Sequence, residues 1–272
     1  MIDREALVED APGTPSFVDT HCHLDDESFD ADLPDVLARS REAGVRRWIN
    51  VGFGPDRWRG AIDLAARHPG MAFMLGVHPS EAEAWNTRVH QDLRQFMIQS
   101  PPVSVGEVGL DFYRGETNVD QQVRVFNAML DLAIEHDIPA TIHMRSSESL
   151  ILDVLQSRTT VPPLVFHSFD GREALTDWIL ANGACVGVGG LATRTKSHDL
   201  QRELKRIPLD QIVLETDSPY LVPNGFKHRR NTPESITRIA AFLAGLREVA
   251  VADIAAQTTR NAERLFERLP PA

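Results

Sequence analysis

Eight short apolar segments recur along the 272 residues of the chain, and this recurrence constrains the fold more than any other feature. The segments span residues 17–23, 45–51, 71–77, 103–108, 139–144, 163–168, 184–189 and 211–216. They lack the polar alternation of strands that keep one face in water. Such runs are typical of parallel strands that are buried on both faces.

Stretches with helical periodicity separate these segments. The clearest ones cover residues 32–43, 120–137 and 172–182, and another begins at Thr232 and Pro233, which have the N-cap and first-turn pairing of a helix start. Strands that alternate with helices predict an α/β fold in which eight strands close into a (β/α)8, or TIM, barrel. An open, doubly wound sheet is the alternative.

The chain is predicted to form one barrel domain over residues 16–272, after a short polar leader at residues 1–15. No apolar run approaches the roughly 20 residues that cross a bilayer, and the charged start lacks the apolar region of a secretion signal. The two cysteines, Cys22 and Cys185, provide no disulfide framework. We therefore expect a cytoplasmic protein without membrane attachment.

The formal charge of −11 bears on the class of partner. An acidic protein gains little from long-range attraction to nucleic acid, which argues against a protein that coats DNA. An enzyme that contacts phosphates only at a local cationic site is still compatible with this charge, because bound metal ions can supply it.

The segment Asp19-Thr20-His21-Cys22-His23 contains the strongest chemical signal. Alternate side chains of a strand share a face, so His21 and His23 are predicted to point into the barrel while Cys22 points toward the helices. Two imidazoles in this arrangement can hold one divalent cation. Two core histidines that happen to alternate are the competing interpretation of this motif taken alone.

Acidic or metal-binding residues also end four other apolar segments, and the C-terminal ends of barrel strands meet at one face. These residues are Glu107, His143, His167 and, after the eighth segment, Glu215 and Asp217. Any one could be a satisfied core polar group, which is the interpretation we favour for Glu215. The set His21, His23, Glu107, His143, His167 and Asp217 is sufficient to hold two cations.

Seven stretches of the chain resemble the TatD family of metal-dependent deoxyribonucleases, within the amidohydrolase-like barrels. They are residues 19–25 (DTHCHLD), 76–79 (GVHP), 106–113 (GEVGLDFY), 142–145 (IHMR), 166–171 (FHSFDG), 214–223 (LETDSPYLVP) and 259–266 (TRNAERLF). They occur in the family's order and extend over almost the whole chain. The resemblance implies a TIM barrel of the metallo-dependent hydrolase type.

The resemblance also implies roles for single residues. His21, His23 and Asp217 would bind a first metal, His143 and His167 a second, and Glu107 would bridge the two. The chain departs from the family at Ser168, where Cys is frequent, and at Asp170, where Ser is frequent. Neither departure removes a ligand, so both concern only the pocket beside the sixth strand.

Two cations could activate a water molecule for hydrolysis of a phosphodiester, with Glu107 and Asp217 as catalytic residues and Asp217 as the candidate general base. The family is associated with Mg²⁺ or Mn²⁺. Four histidines among the ligands favour a borderline metal such as Zn²⁺ or Mn²⁺ on ligand softness, so Zn²⁺ also stays open.

Basic residues near the predicted barrel mouth are candidates for substrate binding, against the alternative of a solvated surface. They are His78, Arg114, Arg145, Lys227 and Arg230. Tyr113, Phe112 or Phe226 could stack on an unpaired base, although aromatic residues at strand ends more often serve packing.

Three functions remain in competition. The first is a metal-dependent deoxyribonuclease, with DNA as a transient substrate and 3'-5' exonuclease-like action on DNA ends or single strands. The second is a hydrolase of a small amide, ester or phosphodiester, which the charge of −11 favours. The third is a binding protein that keeps the fold, which the complete ligand set argues against. No obligate protein partner is implied.

Overall fold

The computed structural model describes residues 15–272, and in them eight parallel strands form one sheet in the order of the chain. The strands are β1 (Phe17–Cys22), β2 (Val45–Gly52), β3 (Met71–Leu75), β4 (Val105–Asp111), β5 (Ala140–Arg145), β6 (Leu164–Phe166), β7 (Cys185–Val188) and β8 (Ile212–Leu214). The predicted barrel is confirmed, and the alternative of an open, doubly wound sheet is excluded. The last three strands are shorter than predicted, so His167 and Asp217 lie just beyond β6 and β8.

Helices connect successive strands on the outside of the sheet. They are α1 (Leu33–Glu42), α2 (Pro55–Arg67), α3 (Thr87–Gln99), α4 (Val119–Glu135), α5 (Glu148–Ser157), α6 (Glu173–Asn182), α7 (His198–Arg206), α8 (Ile236–Arg247) and α9 (Val251–Leu265). Gly44 follows α1 with φ +94°, where a Cβ atom would lie 2.3 Å from the Pro15 carbonyl oxygen. The chain can turn into β2 there only because this residue has no side chain. The first turn after Thr232 is a 3-10 helix that leads into α8.

The barrel is nearly closed: β8 lies beside β1, but within residues 15–272 no regular ladder of strand pairs joins these two strands. Hydrogen bonds around their C-terminal ends make the connection instead. The Thr20 hydroxyl donates to the Leu214 carbonyl at 3.0 Å, and the Asp217 N–H donates to the His21 carbonyl at 2.9 Å. The hydrogen bonds between the ends of β1 and β8 therefore hold the Asp217 backbone directly against His21.

The interior of the barrel is packed with apolar side chains. Ile49, Val51, Met74, Val165 and Val213 belong to one buried cluster, which Phe266, just after α9, also joins. A larger cluster fills the space between strands and helices and includes Trp48, Trp58 and Phe166. The packed interior gives the strand ends a rigid base, so polar side chains there are held in fixed positions.

Among the described residues, no helix combines the length and the apolar composition that crossing a membrane requires. The predicted leader at residues 1–15 lies outside the described residues except for Pro15, and the single-domain assignment stays a prediction.

Candidate metal centre

The six residues predicted as metal ligands meet at the C-terminal ends of the strands. His21 lies in β1, Glu107 in β4 and His143 in β5. His23 and His167 immediately follow β1 and β6, and Asp217 lies three residues after the end of β8. Five of them are buried, and the sixth, His143, has the most exposed side chain at 16%. Five separate strand ends thus contribute to one cluster.

Glu107 lies at the centre of this cluster, and its two carboxylate oxygens face different histidines. Oε2 is 3.5 Å from His21 Nε2. Oε1 is 2.6 Å from His143 Nδ1 and 3.6 Å from His167 Nε2. The carboxylate therefore separates the histidine of β1 from the histidines of β5 and β6.

Asp217 completes the side of the cluster that His21 and His23 form. Its Oδ1 lies 3.2 Å from His23 Nε2 and 3.7 Å from His21 Nε2, with His167 Nε2 farther away at 4.0 Å. The residue has φ +56°, a conformation that is uncommon outside glycine and that clusters at functional sites. Its N–H bond to the His21 carbonyl helps to hold it there.

Several buried ring nitrogens in the cluster have no hydrogen-bond partner, and this bears on whether the residues could bind a cation. Within the described part of the chain, neither ring nitrogen of His21 has a hydrogen-bond partner, and His23 Nδ1 has none. The His21 ring also stacks on His167, with ring centroids 3.5 Å apart. A buried polar atom without a partner is costly, and nitrogen and carboxylate donors converge on the same point, so the donor set fits divalent cations.

Charge within the cluster favours the ionised carboxylates. Burial raises the pKa of Glu107, but the neighbouring His167 and His143 outweigh it and hold that pKa well below its ordinary value. Burial lowers the pKa of His167, whereas Glu215, Glu107 and Asp217 raise it, to about 10. Carboxylates and imidazoles thus stabilise one another's charges.

Glu215 is buried and satisfied, as the sequence suggested, but it also contacts the centre. Its Oε1 accepts a hydrogen bond from the Ser168 N–H at 2.6 Å. The same oxygen lies 3.0 Å from His167 Nδ1, a close contact that is not a well-aligned hydrogen bond. Gly187 in β7 makes room for this side chain, because a Cβ atom there would lie 2.0 Å from Glu215 Oε2.

His78 projects toward the centre from the turn after β3, and its hydrogen bonds define its tautomer. Nδ1 accepts the Ser80 N–H at 3.0 Å, so the ring proton is on Nε2, which lies 3.9 Å from Glu107 Oε1. Burial, and then the neighbouring His143, lower the pKa of His78 to about 4. His78 is therefore a neutral imidazole that presents an N–H group to the centre.

Asp111 also belongs to the centre, although the sequence did not lead us to predict it as a metal ligand or as a partner of one. Its Oδ2 lies 3.0 Å from His143 Nε2. The signal was present in the sequence, because Asp111 is four residues after Glu107 and positions an even number apart share a strand face. His78, Asp111 and His143 could by distance hold a further ion. The tautomer of His78 argues against this, because its Nε2 is protonated and has no lone pair to offer.

The predicted substrate-binding residues differ in their surroundings. Arg145 is exposed, and its guanidinium lies 3.6 Å from the centroid of the exposed Tyr113 ring. Arg114 and Lys227 are exposed on neighbouring loops. Arg230 is instead engaged by the chain after β1, since it donates to Asp32 Oδ2 at 2.6 Å and lies over the Phe29 ring. Its contacts are those of a residue that joins two loops.

Cys22 lies between His21 and His23 in the sequence but faces away from the cluster. It is fully buried in the layer between strands and helices, and its Sγ lies 3.5 Å from the Ile49 carbonyl. The pairing register of β1 with β2 shifts between Asp19 and Cys22. The predicted orientation of Cys22 is thus confirmed even though the strand is irregular there.

A barrel with a cluster of histidines and carboxylates at the C-terminal ends of its strands defines the class of metal-dependent hydrolases. The chain matches the family described as "TatD related DNase" over residues 18–267. It therefore belongs to the TatD family, as the sequence motifs predicted.

Named relatives agree with this assignment. A 3'-5' ssDNA/RNA exonuclease TatD of Erwinia tasmaniensis is 33% identical over 257 residues, which cover 91% of this chain and 98% of that protein. A putative deoxyribonuclease tatdn3 of Danio rerio is 30% identical, over 93% and 98% of the two chains. The crystal structure of the TatD homologue YJJV from Escherichia coli superimposes with a TM-score of 0.87 at 30% identity, covering 92% of this chain and 98% of that one.

Proposed function

We propose that the centre binds two divalent cations, one through His21, His23 and Asp217 and the other through His143 and His167, with Glu107 shared between them. The observation that carries the proposal is the division of the Glu107 carboxylate. One oxygen faces His21 and the other faces His143 and His167. A carboxylate placed in this way can bridge two ions. Mg²⁺ or Mn²⁺ fits the family, and four imidazole donors also suit Zn²⁺.

The reaction we propose is hydrolysis of a phosphodiester bond in DNA, by attack of water. Two cations at this centre would offset the charge of the attacking and leaving oxygens and lower the pKa of water. Asp217 reaches the site with an ionised carboxylate and is the proposed general base. Burial raises its pKa, but His167 and His23 lower it below the ordinary value, so the carboxylate accepts a proton at neutral pH only from a strongly acidified water.

Two groups outside the ligand set are placed to hold a phosphate. His78 would donate its Nε2–H group to a non-bridging oxygen, a role that needs no change of protonation near neutral pH. Arg145 would contribute a planar guanidinium at the rim, supported by the face of Tyr113. Arg114 and Lys227 would add charge from the surrounding loops, while Arg230 is the weakest candidate because Asp32 occupies it.

The substrate we propose is the end of a single DNA strand, degraded in the 3'-5' direction. The names of the similar TatD exonucleases support this polarity and this class of substrate. Two buried free cysteines support the reducing cytoplasm as the site of action, and RNA is the first alternative substrate to compare.

The decisive experiment incubates the purified protein with single-stranded DNA, duplex DNA and RNA, each labelled at the 5' or the 3' end. Each reaction contains Mg²⁺, Mn²⁺ or Zn²⁺, or EDTA. We expect stepwise shortening of single-stranded DNA from the 3' end, which EDTA abolishes. If no nucleic acid is cut with any metal while a small ester, amide or phosphodiester is hydrolysed, the protein is a small-molecule hydrolase and not a nuclease.

A further inference from the structure

The two ring nitrogens of His143 face two different carboxylates. Nδ1 lies 2.6 Å from Glu107 Oε1, at the centre of the cluster. Nε2 lies 3.0 Å from Asp111 Oδ2, on the side away from the other ligands. A histidine can give a cation only the nitrogen that does not carry its proton, so its partner on the outer side decides which nitrogen coordinates.

Asp111 is itself held firmly in place. Its Oδ1 accepts the Tyr113 N–H at 2.8 Å. The Gln122 side chain of α4 pairs with the Asp111 backbone, accepting its N–H at 3.0 Å and donating to its carbonyl at 3.3 Å. The carboxylate thus keeps one oxygen for the backbone and directs the other at His143.

Gly109 brings β4 and β5 close together beside this contact. It has φ +145°, and a Cβ atom there would lie 2.0 Å from the His143 carbonyl oxygen. The close approach of the two backbones sets Asp111 beside the imidazole of His143, and the strand pairing places Asp111 opposite Arg145. The contact between Asp111 and His143 is therefore built into the strand pair.

We propose that Asp111 is a positioning residue for the second cation, which rests on the two-cation centre proposed above. Asp111 accepts the Nε2–H group of His143 and so keeps the lone pair of Nδ1 directed at the site that Glu107 and His167 share. His143 has the most exposed side chain of the ligand histidines, at 16%, and is thus the one with most freedom to rotate. Loss of such an outer partner typically weakens metal binding about 10–100-fold.

The other proposed ligand histidines differ from His143 in their outer contacts. Within residues 15–272, His21 has no hydrogen bond at either ring nitrogen and His23 has none at Nδ1, while His167 contacts Glu215 without good alignment. Asp111 forms its side-chain contact with His143, a proposed ligand of the second cation, so substitution of Asp111 should act on that site and spare the other. That selectivity separates a positioning role from a general structural one.

The experiment compares Asp111→Ala and Asp111→Asn with Glu116→Ala, which changes an exposed carboxylate in the loop that follows β4. Protein stripped with a chelator is titrated with Mn²⁺, and the free ion is followed by electron paramagnetic resonance. We expect Asp111→Ala to weaken the second equivalent by about 10–100-fold and to leave the first unchanged. Asp111→Asn should fall between, because an amide oxygen still accepts the Nε2–H bond, and Glu116→Ala should match the parent.

A second readout is the tautomer of His143, measured by long-range ¹⁵N–¹H correlation in the Zn²⁺-loaded protein labelled at histidine. The parent should show a proton on Nε2 and the cation on Nδ1, and Asp111→Ala should lose the Nε2 proton signal to solvent exchange. The melting temperature of each stripped variant is measured beside it, and we expect Asp111→Asn to remain within a few degrees of the parent.

Three results would overturn the proposal. One is unchanged affinity for both cations in Asp111→Ala. Another is equal weakening of both sites together with a large fall in the melting temperature of Asp111→Asn, which would mean a structural role. The last is a third bound equivalent that disappears in Asp111→Ala, which would make Asp111 a ligand. None of these readouts needs a substrate, so they stand apart from the nuclease assay, and fewer than two equivalents in the parent would refute the two-cation centre instead.

Discussion

Glu107 occupies the position on which the whole candidate centre depends. It is buried within an apolar strand, and both of its oxygens face histidines. An unpaired carboxylate in such a place would be costly, whereas one that bridges two cations is compensated. The same residue would thus serve both metal ions.

We therefore expect Glu107→Ala to lose nearly all activity and most of its bound metal. Removal of a residue that only supports a metal ligand typically costs about 10–100-fold in metal affinity or activity. Removal of a ligand itself should therefore lower turnover by more than about 100-fold. Metal analysis of dialysed protein beside a turnover assay measures this, with Glu116→Ala as the exposed control. Full metal content with near-normal turnover would show that Glu107 is structural.

Substitutions of Arg145 test the proposed phosphate contact at the rim of the centre. Its guanidinium stacks on Tyr113 and is exposed, so Arg145→Ala should raise the KM for single-stranded DNA more than it changes metal content. Arg145→Lys keeps the charge but loses the planar fork, and its effect should be intermediate. Arg124→Ala, on the exposed face of α4, is the matched control. Equal kinetics for Arg145→Ala and Arg124→Ala would remove Arg145 from the site.

At the scale of single elements, two strands depend on particular small residues. In β7, Gly187 leaves space for the Glu215 carboxylate, which contacts Ser168 and His167. In β1, Cys22 fills the layer under the helices while its sequence neighbours face the centre. Both positions couple the packing of a strand to the ligands beside it.

Gly187→Ala should destabilise the protein by about 1–3 kcal/mol, because the added Cβ atom would collide with Glu215 Oε2. Gly60→Ala is its control, since a Cβ atom there in α2 has nothing within 4 Å. Alanine in a helix interior should instead stabilise by up to about 1 kcal/mol. Urea unfolding of both variants measures the difference, and equal midpoints would contradict the collision.

Cys22→Ser should keep metal content and turnover close to those of the parent, although residue 22 lies between two proposed ligands. The serine hydroxyl could donate to the Ile49 carbonyl that Sγ now approaches at 3.5 Å. We expect a stability loss toward the lower end of about 1–3 kcal/mol, since a polar group replaces an apolar one in the core. A large loss of metal from folded protein would mean that the side chain faces the centre after all.

At the scale of the whole molecule, the charge of −11 limits how many phosphates the protein can hold. We expect attraction to be confined to the proposed cations and a few basic residues around the barrel mouth. We also expect a centre at a barrel mouth to admit a splayed single strand more easily than a duplex.

Binding of single-stranded DNA should accordingly weaken only modestly with salt. Each neutralised phosphate contributes a slope of about −0.7 in log K against log salt for single strands, so we expect a total slope between zero and about −3. Fluorescence anisotropy with Ca²⁺ in place of the active metal, over a range of salt, measures it. A slope like that of proteins that coat DNA would indicate an extended interface beyond the mouth.

The positions of the eight strands and of all six proposed ligands were predictable from the sequence. Continuous apolar runs mark buried parallel strands, and a charged or metal-binding residue at the end of such a run is conspicuous because burial without a partner is costly. Family motifs at residues 106–113 and 166–171 reinforced the same positions. Local patterns were enough, because each proposed ligand lies within its own strand or no more than three residues after it.

Only the tertiary structure decided which groups meet between strands. Asp111 faces His143, Glu215 contacts His167, and Arg230 pairs with Asp32 through loops that are distant in sequence. The closure of β8 on β1 likewise depends on hydrogen bonds rather than on a regular ladder. Periodicity reports the face on which a side chain lies, whereas its partner across the barrel depends on register, twist and loop paths that no local pattern contains.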